Sequence, residues 1–280
     1  MLFESGDKTA IDRELARVEA IGDEAMTAAI KTDILQKRGD LSGAINVGLA
    51  YYKKAPAEGR ELITTFLGTS LFQLGHFEVA DRISPPPGEF APFIRKNDPR
   101  VLDMIEAQLP PEGFWTYGYL ATLAGRVYLL NGESARLAKL YRAVATTPEE
   151  FMAVVGKDRL ADIAPTAALA LRAAGDEDQA RGLLALAEAE AKSTGRTRSQ
   201  DMVTLARIYA VQGRTDEAIG LLSSAIRAGW LPPWLPIHTD IALDPPLNEL
   251  RSDPRFERLR QQILGHLAKE RAELGPVSLN

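Results

Sequence analysis

The sequence contains no cysteine, which excludes disulfides, thiolate nucleophiles and Cys-ligated metals but leaves the redox compartment open. It has no stretch of 18 consecutive apolar residues. Met1 to Asn46 also lacks a basic start followed by an apolar core and a small-residue cleavage site. The chain as given therefore reads as soluble, with no direct membrane insertion, which leaves open a longer protein whose signal or anchor lies outside these residues. There is no run of Lys or Arg, and 33 basic against 38 acidic residues leave a net charge of -5. Nucleic-acid backbone is held by clustered positive charge, so nucleic acid is excluded as a partner.

The motifs of several chemistries are missing as well. No GxGxxG, no glycine loop ending GK[ST], no HExxH, no GxSxG and no calcium loop occurs. The three histidines, His76, His238 and His266, lie in three different elements, so a three-His metal site would need all of them to converge. His238 stands with Trp234 and Asp240 in a proline-stiffened segment. A His-Asp pair without a nucleophile is no catalytic set, and that segment reads as a packed cap. The carboxylate pairs Asp176/Asp178, Glu149/Glu150 and Glu188/Glu190 read as solvated helix faces or first turns. The expectation is no enzyme, no cofactor and no metal.

What is present is a period. In Ser199 to Trp230, Met202, Leu205, Ala206 and Tyr209 share one face of a helix, Gly213 interrupts it, and Ala218, Leu222, Ala225 and Ile226 stripe a second helix. Asp216 and Glu217 sit where a helix start favours negative charge. Such a pair cannot cover its own apolar side, so copies are required. Turn glycines at 39, 75, 132, 175 and 213 supply five, at intervals of 36, 57, 43 and 38 residues. Each glycine fits a helix C-terminal position of positive φ.

The stretched interval contains a proline-rich insertion, Pro85 to Pro111, with one short helix expected over Arg100 to Gln108. Phe114 to Leu130 reads as one helix, with Trp115 and Tyr119 on a shared face and Gly125 where two backbones approach closely. The helix after it is expected over Ser134 to Ala145, and Pro165 marks a start or a kink. In the tail, Asp253 as N-cap and Pro254 at N1 open a helix Arg255 to Glu270, buried through Phe256, Leu259, Ile263 and Leu267, that would cap the last copy. The segments are thus 1-84 (helical pairs), 85-113 (insertion), 114-232 (helical pairs) and 233-280 (proline-rich segment and capping helix), in one continuous superhelical domain.

The small and Leu residues at 205 and 206 with Tyr209, Gly213, Ala218, Leu222 and Ala225 resemble the tetratricopeptide repeat, whose unit is 34 residues. That resemblance implies an all-α solenoid of antiparallel helix pairs that binds other proteins. The tail LDPPLNELRSDPRFERL, with Asp244, Pro245, Leu247, Leu250, Arg251, Asp253, Pro254, Arg255 and Phe256, resembles the ending of repeat modules fused to bacterial signalling proteins. Winged-helix, cyclase or Ser/Thr kinase domains, often with a membrane segment, accompany such modules. This implies a regulatory or scaffolding module, cytoplasmic or periplasmic in a bacterium, fused in full length to a signalling or membrane segment.

Within the repeat family the second, fifth, ninth and twelfth positions of each first helix line the concave side. Here these include Met26, Ala29, Asp33 and Gln36 in the first copy and Leu62, Thr65, Thr69 and Phe72 in the second. Tyr119, Arg126, Arg172, Gln200 and Arg207 hold such positions in the last three. In a chain of net -5, that arginine row is expected either to hold a protein or an acidic peptide, or to pair with Asp162 and neighbouring helix carboxylates. An alternative is a small-ligand pocket between the 85-111 insertion and the Trp115/Tyr119 helix, lined by Phe93, Trp115 and Tyr119, serving a sensor or enzyme accessory domain.

Overall fold

Five helices end in the same hydrogen-bonded turn, and these turns set the architecture. A computed structural model describes residues 13, 16–20, 22–85, 89–193, 198–232 and 240–279, the side chain of Tyr119 excepted. Among them every regular element is helical. The pairs are Glu24–Lys37 (α1) with Leu41–Lys54 (α2), and Glu61–Gln73 (α3) with Phe77–Ile83 (α4). After Ala91–Arg95 (α5), Arg100–Gln108 (α6) and Pro111–Thr116 (α7) comes Gly118–Leu130 (α8) with Ser134–Arg142 (α9). Pro148–Val155 (α10) precedes Lys157–Ala173 (α11) with Glu177–Ser193 (α12), and Ser199–Val211 (α13) with Thr215–Arg227 (α14). Two 3-10 helices, Ile241–Leu243 and Pro245–Leu250, lead to Pro254–Leu274 (α15).

Gly39, Gly75, Gly132, Gly175 and Gly213 have φ of 81, 83, 76, 85 and 77°, the left-handed region that side chains disfavour. The residue after each donates its N–H to a carbonyl five positions back, at Leu35, Leu71, Tyr128, Leu171 and Tyr209, over 2.8 to 3.0 Å. This is the Schellman closure, which satisfies carbonyls left orphaned at a helix end. Helices pack mainly on near neighbours in sequence, as in helical solenoids.

The chain forms two compact units, cut differently from the four segments expected. The first consists of residues 1–86, 226–234 and 261–280. In it α1 packs on α2 and α3, and α3 on α4. Ile34, Leu41, Ala44, Ile45, Ile63, Leu67 and Leu71 form its core. Residues of α15 from Gln261 onward join this unit. Ser42 N–H donates to Glu270 Oε2 at 2.8 Å, Gly43 N–H to Asp40 Oδ1 at 2.8 Å, so two carboxylates cap the start of α2. His266 Nε2 lies 2.7 Å from the Gly39 carbonyl, and Arg271 Nε donates to the Leu74 carbonyl at 2.7 Å. The first turn of α15 pairs Arg255 with Asp216 of α14 at 2.7 Å, as a cap on the last pair would. Beyond it, however, the helix serves the first two pairs. Amphipathic spacing reveals that a helix has a buried side but not which surface covers it.

The second unit comprises residues 87–225 and 235–260. Here α8, α11 and α13 lie in a row, α8 against α11 and α11 against α13. Three features of this unit bear on the sequence expectations. The stretch expected as one helix from Phe114 to Leu130 breaks at Tyr117 (φ -85°, ψ 76°), so Trp115 and Tyr119 belong to different helices. Gly118 follows the break, and a Cβ there would lie 2.6 Å from Arg159 Cδ. Next, α10 adds a helix between the expected pairs, with Thr147 as N-cap (accepting from Glu150 N–H), Pro148 at N1, and Glu149 and Glu150 exposed in the first turn as expected of that pair. Finally, α11 begins at Lys157 and runs through Pro165. An interior proline costs about 3 kcal/mol or more, and the burial of Ile163, Ala164, Ala167, Ala168 and Leu171 around it opposes that cost.

The insertion is mostly helical, and α6 falls over Arg100–Gln108 as expected. It packs on α8: Val101, Leu102 and Ile105 are buried, and Tyr128 of α8 donates its hydroxyl to Glu106 at 3.0 Å. Arg136 of α9 bridges Asp103 and Glu106 at 2.8 and 2.9 Å.

Gly125 is a point of close approach between α8 and α11, since a Cβ there would lie 2.9 Å from Thr166 Cγ2. Gly125→Ala is expected to cost about 1–3 kcal/mol as overpacking. In a Thr166→Ser background, which removes only that methyl, the cost should vanish. A double-mutant cycle by urea denaturation measures the coupling.

Candidate peptide-binding face

The row of α8, α11 and α13 presents the expected arginines, and two of the three meet. Arg126 on α8 and Arg207 on α13 are 3% and 4% exposed. Both are directed at Asp244, whose carboxylate lies 2.7 Å from Arg207 Nε and 3.4 Å from Arg126 Nε. Asp162 contributes to the field at Arg126 and accepts a hydrogen bond from Thr204 Oγ1 at 2.8 Å, but the carboxylate paired with both arginines is Asp244. Asp244 belongs to the tail motif, outside the repeat period. Arg172 goes elsewhere, with one Nη donating to the Val211 carbonyl and Nε 3.2 Å from Glu177. Gln200 is exposed on the first turn of α13, and the side chain of Tyr119 lies outside the described residues.

Asp244 is carried by a segment that is not α-helical. Asp240 Oδ1 accepts from Ala242 N–H at 2.9 Å, and Arg260 holds the same carboxylate at 2.7 Å, fixing the start of the segment. Leu247 N–H donates to the Asp244 carbonyl at 2.9 Å, closing the second 3-10 turn. Pro245 and Pro246 have no N–H to satisfy, which suits a chain lying across side chains rather than in a ladder. Ile241, Pro245, Pro246, Leu247 and Leu250 are buried, while Asn248 and Glu249 are exposed. This segment packs against α8, α11 and α13. It fills the face that the arginine row lines.

Electrostatics at the triad are unbalanced. Burial is the largest influence on Arg126 and pulls its guanidinium down to about 10, with Asp244 opposing the shift and Arg207 adding to it. For Asp244, burial pushes the carboxyl up, but Arg126 and Arg207 together outweigh it and hold the group below its ordinary value. Arg126 Nε and Nη1 and Asp244 Oδ1 are buried without a hydrogen-bond partner. One carboxylate thus serves two buried cations, and it satisfies Arg207 better than Arg126.

Of the residues of the alternative pocket, Trp115 and Phe93 have described side chains. Trp115 is fully buried, with ring centroids 4.8 Å from Phe114 and 4.9 Å from Phe151, and Tyr141 adds a further ring 4.5 Å from Phe151. The aromatic cluster is core. Phe93 is half-buried beneath the Arg100 guanidinium, 5.4 Å from its ring centre.

In the first unit the corresponding helix positions are more open. Met26 on α1 is 42% exposed and Leu62 on α3 is 50% exposed, with Thr65 exposed near Leu62. Ala29 and Phe72 are buried. A depression of about 740 Å³ between α1 and α2 is lined by Ala28, Val47, Ala50 and Tyr51. At its rim Lys31 pairs with Glu19 and Lys54 with Glu24, at 2.5 and 2.8 Å.

Among the described residues no three His, Asp or Glu side chains gather as a metal site, and no helix is long and apolar enough to cross a membrane. His76 is half-buried at the start of α4, and its imidazole is held below the ordinary value by burial and by Arg271. His238 and Trp234 lie outside the described residues. Comparison with known proteins finds no family model, no curated protein and no solved structure that matches the chain.

Proposed function

We propose that the chain is a tetratricopeptide-type repeat module that binds a protein or an acidic peptide without catalysing a reaction, as the regulatory or scaffolding part of a bacterial signalling or envelope-associated assembly. The observation that carries this reading is the occupied face of the second unit. A short non-helical segment lies across α8, α11 and α13 with its carboxylate between two arginines, which is how a repeat module would hold a peptide. The exposed Met26 and Leu62, at matching positions of α1 and α3, give the first unit an apolar surface for the same kind of contact.

The test uses the full chain as bait in extracts of the source cell, beside a Met26→Glu, Leu62→Glu variant. Both residues are exposed, so the variant should keep its fold, as circular dichroism would check. A protein retained by the wild type and lost by the variant is the expected result. If no protein distinguishes the two baits, and none is retained by either, the binding role is wrong.

A further inference from the structure

We infer that the face of α8, α11 and α13 is a binding site for short acidic peptides of the type Asp-Pro-Pro-apolar, and that residues 240–250 are its resident occupant, which an external peptide must displace. This rests on the binding reading above and names its ligand class. Three features of the face define that class. A carboxylate must sit between Arg126 and Arg207, both nearly inaccessible to solvent. Prolines must follow it, because Pro245 and Pro246 are buried there and offer no N–H that would need a partner. Apolar side chains must then return to the face after a turn, as Leu247 and Leu250 do while Asn248 and Glu249 point to solvent.

The resident segment is an incomplete match to its site, and this is what leaves room for competition. Arg126 Nη1 is buried without a partner, and Arg126 Nε and Asp244 Oδ1, 3.4 Å apart, form an ion pair without a hydrogen bond. A ligand whose carboxylate reaches both guanidiniums would regain interactions that the resident does not make. The segment also makes its backbone bonds within itself: Leu243 to Asp240, Asp244 to Ile241, Leu247 to Asp244. It is attached to the face through side chains, so it can leave without breaking a shared backbone ladder. Covalent attachment raises its effective concentration, and an external peptide binds weakly until the resident is weakened.

The experiment measures binding of a fluorescent peptide copying residues 240–252 to the full chain by polarisation. Wild type is expected to bind it at least ten-fold more weakly than a Leu247→Ala, Leu250→Ala variant, which loosens the resident. Adding Arg207→Lys to that variant, or replacing the aspartate that corresponds to Asp244 in the peptide, should remove the gain. A folded variant that binds no better than wild type, or binding indifferent to that aspartate, overturns the proposal. Should the variant fail to fold, hydrogen exchange of the wild type decides. The Leu247, Leu250 and Arg251 amides should exchange through an opening that leaves α13 protected. Exchange of those amides only with global unfolding makes the segment core and rejects the idea. Failure here with continued dependence of partner capture on Met26 and Leu62 would leave the binding role standing.

Discussion

Asp244→Asn is expected to destabilise the second unit by about 3–5 kcal/mol, the range for removing one partner of a buried ion pair. The substitution is nearly isosteric, so the loss is one of charge rather than of volume. Arg207, 2.7 Å away, and Arg126, 3.4 Å away, would then face each other with no carboxylate between them. Burial already works against the charge on Arg126, and Asp244 is its principal compensation. An exposed pair offers a control: Lys269 and Glu273 stand 3.5 Å apart with both side chains well solvated. Glu273→Gln should leave the urea midpoint nearly unchanged, since exposed pairs contribute roughly 0–1 kcal/mol. Equal effects at Asp244 and Glu273 would show that the triad carries no special weight.

The same residue gives a pH dependence with a definite sign. The folded Asp244 carboxyl lies below its ordinary value of 3.8, so the folded state binds its proton less readily than the unfolded chain. Its stabilisation is fully present above that ordinary value and is lost as pH falls through the lower folded value. Wild type should therefore lose stability on acidification below about pH 4, and the step attributable to this group should be missing from Asp244→Asn. Stability measured against pH for the two proteins, with the difference taken, isolates it.

Replacing Ile263 and Leu267 together by alanine is expected to unfold the first unit, although both residues lie near the other end of the chain. Their side chains are 1% and 0% exposed in the part of α15 that belongs to that unit. Each truncation of a buried aliphatic costs about 2–5 kcal/mol, and the pair approaches the whole stability of an ordinary domain of about 5–15 kcal/mol. The same part of the helix also brings Glu270 to the Ser42 N–H and Arg271 to the Leu74 carbonyl. Amide exchange mapped along the chain should show α1, α2 and α3 losing protection. Loss confined to α13 and α14 would instead mean that α15 is a cap for the last pair alone.

The elements most visible in the sequence were those fixed by local chemistry. A glycine that must take positive φ, an N-cap aspartate before a proline, and a 3.6-residue apolar stripe each act within one turn or one helix, so Gly213, Asp253 and the α13 face could be read directly. The break at Tyr117 could not. Both sides of it are apolar and helical, and a single non-helical residue barely disturbs the pattern, while the side chain packed beside it, Arg159 at Gly118, comes from far along the chain. Repeat register found Arg126 and Arg207, because equivalent positions of successive first helices share a face. It could not find Asp244, which arrives 37 residues after Arg207 on a segment outside the period. The destination of α15 was hidden for the same reason.

The composition of the first unit bears on how the protein is made. Its α2 emerges early from the ribosome, but the carboxylate that accepts the Ser42 N–H is 228 residues further on. At synthesis rates of roughly 5–20 residues per second, that is a delay on the order of ten to fifty seconds. Throughout this interval the early helices lack Ile263, Leu267 and Glu270 and hold apolar surface uncovered. The N-terminal helices thus stay incompletely covered until translation of the C-terminal helix is complete, and ribosome-bound chains stalled before Gln261 should be degraded by protease in α1 to α4 while full-length chains resist.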